Sequence, residues 1–139
     1  MASSSTNSLF SIILLSYHSE ERIGQVFEKV TQRLDEEKIN FEFIIIDDGS
    51  KDGSYAEAKK LSISDKRVRP FRLSKNYTSP YSQFAGYCVA KGDCVVAITD
   101  DLQKPLDVVV EMYRAWEQGA KIVVSYRKSR NDGRFSDFF

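Results

Sequence analysis

Apolar and polar positions along this 139-residue chain alternate between two kinds of pattern. Leu9 to Ser16 reads as an apolar buried strand, and Phe41 to Asp48 as a second, its apolar run from Phe43 to Ile46 stopping at Asp47-Asp48. Between them, Ile23, Val26, Phe27, Val30 and Leu34 fall at helical spacing, which predicts a helix from Glu20 to about Asp35 capped by Ser19. Gly49 to Ser54 is a tight turn, followed by a polar helix from about Tyr55 to Leu61. Arg67 to Leu73 alternates like a strand, Pro80 to Lys91 reads as a helix, and Cys94 to Thr99 is another apolar strand. Pro105 suits the first turn of a helix running to Gln118, with Gly119 closing it and Val108, Val109, Met112 and Trp116 as its apolar face. Lys121 to Tyr126 is a last predicted strand. Strand and helix in this alternation predict an α/β fold, a mostly parallel sheet with helices on both faces and right-handed crossovers.

The predicted organisation is a disordered start over 1–8, one α/β domain over 9–126, and a basic and aromatic tail over 127–139. Phe135, Phe138 and Phe139 form one face of that tail and give it the means to pair two chains into a homodimer. Lys plus Arg (20) balance Asp plus Glu (20), so no overall field draws the chain to nucleic acid. Nor does it have an apolar run long enough to cross a membrane, or a signal peptide, and a cytoplasmic protein is expected. Cys88 and Cys94 lie in or beside predicted core elements and are expected as buried free thiols; a disulfide stays open, and their spacing does not suit zinc.

Candidate chemistry gathers where two apolar runs end in acid pairs, Asp47-Asp48 and Asp100-Asp101. In an open parallel sheet, the carboxyl ends of the strands are the ligand-binding edge. Taken singly, the first pair also fits a helix-capping turn and the second a solvated strand end. Together they set four carboxylates at one edge, an arrangement that a cation or hydrogen-bond donors must relieve. That points to a metal-bound, donor-rich ligand such as a nucleotide. His18 reads as a loop histidine, Tyr17 as either core or a stacking residue, and Arg127-Lys128-Ser129-Arg130 as a solvated face or a phosphate contact.

Several segments, in order, resemble the inverting nucleotide-sugar glycosyltransferases of family 2 with the A-type fold, notably the branch of dolichyl-phosphate mannose synthase and polyprenyl-phosphate glycosyltransferases. They are Ile45 to Ser54, Leu73-Ser74-Lys75-Asn76-Tyr77, Ala85-Gly86, Ala90 to Asp93, Asp100-Asp101-Leu102-Gln103-Lys104-Pro105, and Ser125 to Arg130. The resemblance implies a Rossmann-like donor-binding half that takes a UDP or GDP type of nucleotide-diphosphate sugar together with Mg2+ or Mn2+. It implies Asp101 as metal ligand with Gln103 nearby, and Asp100 against the ribose or diphosphate. Asp48, with Asp47, would accept from the base; Leu15, Ser16 and Tyr17 would line the base pocket, and Lys75 would reach phosphate. The implied acceptor is a polyprenyl phosphate or a polysaccharide, placing the full-length protein at the inner face of the cell membrane in envelope polysaccharide synthesis.

The sequence departs from the family in three places. Thr99 stands where the metal motif commonly has its first acid, Leu15-Ser16-Tyr17-His18-Ser19 lacks the usual glutamate, and Thr78-Ser79-Pro80 follows Asn76-Tyr77. Complete catalytic domains of the family continue into an acceptor pocket and a catalytic base, so the resemblance assigns no base in this chain. A donor-binding fragment without transfer activity is therefore the alternative expectation. A phosphoacceptor receiver domain ranks below both, because the first strand ends in Ser16-Tyr17 rather than in acids.

Overall fold

The computed structural model describes residues 7–126. Strands β1 (Phe10–Ser16), β2 (Phe41–Asp47), β3 (Val68–Arg72) and β4 (Cys94–Thr99) form one parallel sheet in the order β3-β2-β1-β4. β1 and β2 occupy the centre and are covered on both sides, which is why Ile12 to Leu15 and Phe43 to Ile46 are apolar without alternation. Helices α1 (Ile23–Glu36), α2 (Ser54–Ser64), α3 (Ser79–Val89) and α4 (Leu106–Glu117) alternate with the strands. Right-handed crossovers put α1 and α2 on one face as the chain steps from β1 to β3, and put α3 on the other face as it returns to β4. The core is divided accordingly. Ile12, Leu14, Phe43 and Ile45 pack with Val26, Val30 and Leu34 of α1 and Val109 and Val110 of α4, while Ile13, Ile44 and Ile46 meet Ala85 and Val89 of α3. The expected α/β class, parallel sheet and two-sided cover are all present.

The reversal of strand order between β1 and β4 fixes the site's position. β1 and β4 are parallel neighbours, so the loops leaving their carboxyl ends emerge side by side. They border a crevice at the edge where open α/β sheets bind ligands, while α1 and α4, which follow these strands, pack on the same face. Register sets the same edge for the other acidic turn: Ser16 lies opposite Asp47, and Leu15 opposite both Ile46 and Thr99. Asp48 and Asp101 thus leave the same rim of the sheet, with β1 between them.

Four local expectations change. Ser19 caps no helix: α1 starts at Ile23, and the Ser19 hydroxyl turns to Asp100 instead. α4 is rotated from its predicted face, burying Val109, Val110 and Tyr113, with Val108 and Met112 only half-buried. Among the described residues Lys121 to Tyr126 pairs with no strand, and Ile122, Val124 and Tyr126 are exposed. Alternation makes a strand only where a backbone partner is in reach, and here a cavity of about 630 Å³ separates Lys121, Ile122 and Val123 from Val95 and Val96 of β4. Cys88 is exposed on the outer side of α3; Cys94 is a half-buried free thiol, and burial pushes it up to about 12. Residues 127–139, the predicted tail, lie outside the described residues.

At the opposite rim, Glu42 ties three strands together. It accepts hydrogen bonds from Ser11 Oγ at 2.6 Å, the Lys91 N–H at 2.6 Å and Arg69 at 2.7 Å. Burial alone would push this carboxyl up, but the three donors outweigh it and hold the group below its ordinary 4.5. A depressed folded-state value adds stability that is complete above about 4.5 and disappears as pH falls through the lower value. Glu42→Ala removes the shared acceptor of the buried Ser11 hydroxyl, the Lys91 N–H and the half-buried Arg69, and we expect a loss of about 3 kcal/mol in chemical denaturation. Glu42→Gln should, in addition, flatten the loss of stability below pH 4.5 relative to the unmodified chain.

Candidate functional site

The acidic turn after β2 is held by its own geometry. Gly49 sits at φ +71, and a Cβ there would lie 2.5 Å from the Lys75 carbonyl carbon and 2.8 Å from the Asn76 nitrogen. Only glycine lets the backbone after β3 approach so closely. That contact brings the Tyr77 N–H to Asp48 Oδ1 at 2.8 Å. The other Asp48 oxygen has no protein hydrogen bond among the described residues, and the Asp48 N–H is anchored to the Ser16 carbonyl. Asp47 is different. Its side chain is 0% exposed, its Oδ2 accepts from the Ser50 N–H at 3.1 Å and faces Arg72 at 3.5 Å, and its Oδ1 has no partner. The first acid of the pair holds the turn, and the second, only 5% exposed, is tied to the loop after β3.

The turn after β4 carries the other two acids. Asp101 is exposed, and both its oxygens are oriented by neighbours: Thr99 Oγ1 donates at 2.5 Å and the Gln103 amide at 2.9 Å. The Thr99 hydroxyl, most of all, holds this carboxyl below its ordinary 3.8; burial pushes the other way, and the Gln103 donors add to the lowering, so it is ionised at neutral pH. Asp100 points back to the loop after β1. Its Oδ2 accepts from the Ser19 hydroxyl and pairs with Arg22, whose Nε and NH2 lie 3.0 and 2.9 Å away. Beside Gln103, a cavity of about 270 Å³ is lined by Lys104, Pro105, Val108, Ser125 and Tyr126.

The loop after β1 supplies the remaining wall. Leu15 is half-buried against the α3 side, Ser16 is buried with an unpartnered Oγ, and Tyr17 is 46% exposed and stacked on His18 with ring centroids 4.2 Å apart. Lys75 is exposed beside the first acidic turn, its ammonium 5.1 Å from the centre of the Tyr77 ring. Among the described residues, four non-glycine residues have positive φ, and three of them (His18, Thr78 and Leu102) lie in the loops that follow β1, β3 and β4 at this rim. Thr78, β-branched at φ 76, is the most costly; such backbone is kept where the surroundings hold it, often at binding sites.

Leu15, Ser16, Asp47, Asp48, Asp100, Asp101 and Gln103 therefore sit at or just beyond one sheet edge, with Tyr17 and Lys75 on its loops. Sequence reasoning missed Ser19, Arg22, Tyr77 and Arg72. Arg22 lies 78 positions from Asp100 and reads as an ordinary first-turn surface residue. Thr99 carried the one available signal, standing inside the acidic motif.

With regard to a divalent cation, the described residues contain no group of three or more His, Cys, Asp or Glu side chains arranged to enclose one. One exposed, ionised carboxylate with an amide beside it nevertheless suits Mg2+ or Mn2+ that takes its other ligands from phosphate. The donor set fits a cation that shares its ligands with a nucleotide.

Comparison with known proteins agrees with this arrangement. Over 126 residues the chain is 31% identical to the uncharacterized glycosyltransferase YkcC of Bacillus subtilis, spanning 91% of this chain and 39% of that one. It is 32% identical over 125 residues to the bactoprenol glucosyl transferase of Shigella phage SfV, spanning 89% of this chain and 41% of the phage protein. The chain thus spans about two fifths of the length of these relatives. The mannosyltransferase PcManGT of Pyrobaculum calidifontis, solved with GDP-Man and Mn2+, shares the fold at a TM-score of 0.56 with 14% identity, over 66% of this chain and 27% of its own. The profile of glycosyl transferase family 2 matches residues 11–138, and the chain belongs to that family.

Proposed function

We propose that this chain binds the nucleotide-diphosphate part of a sugar donor at the β1–β4 crevice, and that the whole protein transfers the sugar, with inversion, to a lipid-phosphate or polysaccharide acceptor. The observation that carries the reading is the shared rim: Asp48 and Asp101, on turns from β2 and β4, leave the sheet on either side of β1. Asp48 offers an acceptor to a base N–H, held in place by Tyr77. Tyr17, half-exposed at the end of β1, offers a face for stacking. Lys75 provides a positive charge toward phosphate. Asp101 and Gln103 would hold Mg2+ or Mn2+, which when bound offsets the charge that builds on the departing diphosphate.

Two of the similar proteins support the finer points. PcManGT was solved with GDP-Man and Mn2+, and the phage relative is a bactoprenol glucosyl transferase. A polyprenyl phosphate is accordingly the acceptor we propose for the whole protein, acting at the inner face of the cell membrane. Among the described residues no helix is long and apolar enough to cross a membrane. The reading in which this chain binds donor without transferring it draws on the same geometry. The residues that support it are the Asp101 carboxylate with its amide and the Asp48 acceptor, and the family resemblance assigns no general base in this chain.

Calorimetry with UDP and GDP, each with and without Mn2+, tests the proposal. Binding of one nucleotide, strengthened by Mn2+, is expected. Absence of binding by both nucleotides in the presence of Mn2+ rejects it.

A further inference from the structure

We propose that Arg22 is a positioning residue that couples the diphosphate to the cation: it neutralises Asp100 in the nucleotide-free site and leaves it for the diphosphate when donor binds. The inference rests on the donor-site reading above and gives that site an order of events.

Asp100 draws its partners from another strand's loop. Its Oδ2 takes the Ser19 hydroxyl and two nitrogens of Arg22, and the Arg22 NH2 also lies 3.4 Å from the His18 carbonyl. The two partners of Asp100 differ in kind. Ser19 is buried, and its N–H is fixed to Ser54 Oγ at 2.8 Å, while that hydroxyl in turn donates to Asp52. This chain of bonds joins the loops after β1 and β2 and clamps Asp100 from behind. Arg22 is 52% exposed against 17% for Asp100, and it reaches the carboxylate from the solvent side. Exposed ion pairs are weak and exchange readily. Ser19 is the fixed anchor, and Arg22 is the partner free to turn.

Charge explains why it would turn. Asp100, Asp101 and Arg22 sum to one negative charge, a poor attraction for a free divalent cation. Among the described residues, Arg22 is the one cation paired with either of these acids. A diphosphate is a stronger and more flexible partner for a guanidinium than a single carboxylate already shared with a serine. Once the anion takes Arg22, Asp100 is left without its counter-charge beside Asp101 on the same turn, and the two acids together offer a cation two negative charges. Each ligand then strengthens the other, and by linkage the coupling is reciprocal.

The test uses the 139-residue chain, Arg22→Gln and Arg22→Lys, with Mn2+ alone, with UDP or GDP plus Mn2+, and with UMP or GMP plus Mn2+. Free and bound Mn2+ are read by electron paramagnetic resonance. Arg22→Gln should bind Mn2+ alone about three- to tenfold more tightly than the unmodified chain, because the neutralising charge is gone. The same variant should bind the diphosphate about tenfold more weakly, with a smaller loss for the monophosphate. Arg22→Lys, which keeps the charge, should restore weak binding of Mn2+ alone. Unchanged Mn2+ affinity in Arg22→Gln, or equal losses for mono- and diphosphate, overturns the coupling while leaving the donor site standing. If the unmodified chain binds neither diphosphate, the donor-site reading falls and this inference with it.

Discussion

Replacing Asp101 by alanine should remove the Mn2+-dependent part of nucleotide binding and leave the fold intact. Asp101 is exposed, and its hydrogen bonds join only Thr99 and Gln103 of its own turn, so its loss should change stability by no more than about 0.5 kcal/mol. Its charge is a different matter. The carboxyl is held ionised by the Thr99 hydroxyl and the Gln103 donors, and it is the exposed acid nearest the amide that would share a cation. We expect the gain in affinity on adding Mn2+ to fall at least about tenfold, or roughly 1.4 kcal/mol, in both Asp101→Ala and Asp101→Asn. The asparagine variant keeps the shape and separates charge from packing. Calorimetry with and without Mn2+ measures the effect. A variant that retained the full Mn2+ increment would move the cation away from this turn.

Gly49→Ala should damage both stability and binding. The left-handed backbone at φ +71 costs a residue with a Cβ about 1–2 kcal/mol. The new methyl group also meets backbone atoms of Lys75 and Asn76 at 2.5–2.8 Å, and relieving such crowding costs about 1–3 kcal/mol more. A combined loss of about 2–4 kcal/mol is expected in urea denaturation. The displaced segment carries the Tyr77 N–H that holds Asp48, so folded molecules should also bind nucleoside more weakly. Gly24→Ala is the contrast: nothing lies within 4 Å of where its methyl group would sit in α1, and a neutral or slightly favourable change is expected. Equal behaviour of the two variants would show that the approach of the two loops is not a constraint.

What could be read from the sequence divides along physical lines. β2 is enclosed on both faces, so its middle had to be apolar, and the run from Phe43 to Ile46 carried that information locally; Glu42, at the rim, is tolerated because three donors satisfy it. The spacing of Ile23, Val26, Val30 and Leu34 did the same for α1. The α4 face was misjudged because Val108, Val109 and Val110 are consecutive, and only the packing partner decides which two turn inward. Lys121 to Tyr126 has a strand's alternation and lacks a neighbouring ladder, a property no local pattern reports.

The site shows the same division. Its acids were visible because each pair ends an apolar run. Their tasks were not, because these depend on partners distant in sequence. Asp47 and Asp48 are adjacent and chemically identical, yet one is sealed against Ser50 and Arg72 while the other is tied to the loop after β3. Strand alternation separates them, and it was the burial of the first that the sequence left open. Ser19 looked like a helix cap because serine before an amphipathic run is usually one; its hydroxyl found a stronger acceptor in Asp100, across the crevice.

The central claim is that turns from β2 and β4 share one cation-and-diphosphate pocket across β1. Paramagnetic broadening of backbone amides by Mn2+ in the presence of saturating UDP or GDP tests it most directly. A shared pocket predicts loss of signal at residues 99–103 and, more weakly, at 48–50, with both effects removed in Asp101→Ala. Broadening centred on any other surface, or unchanged broadening in that variant, contradicts it.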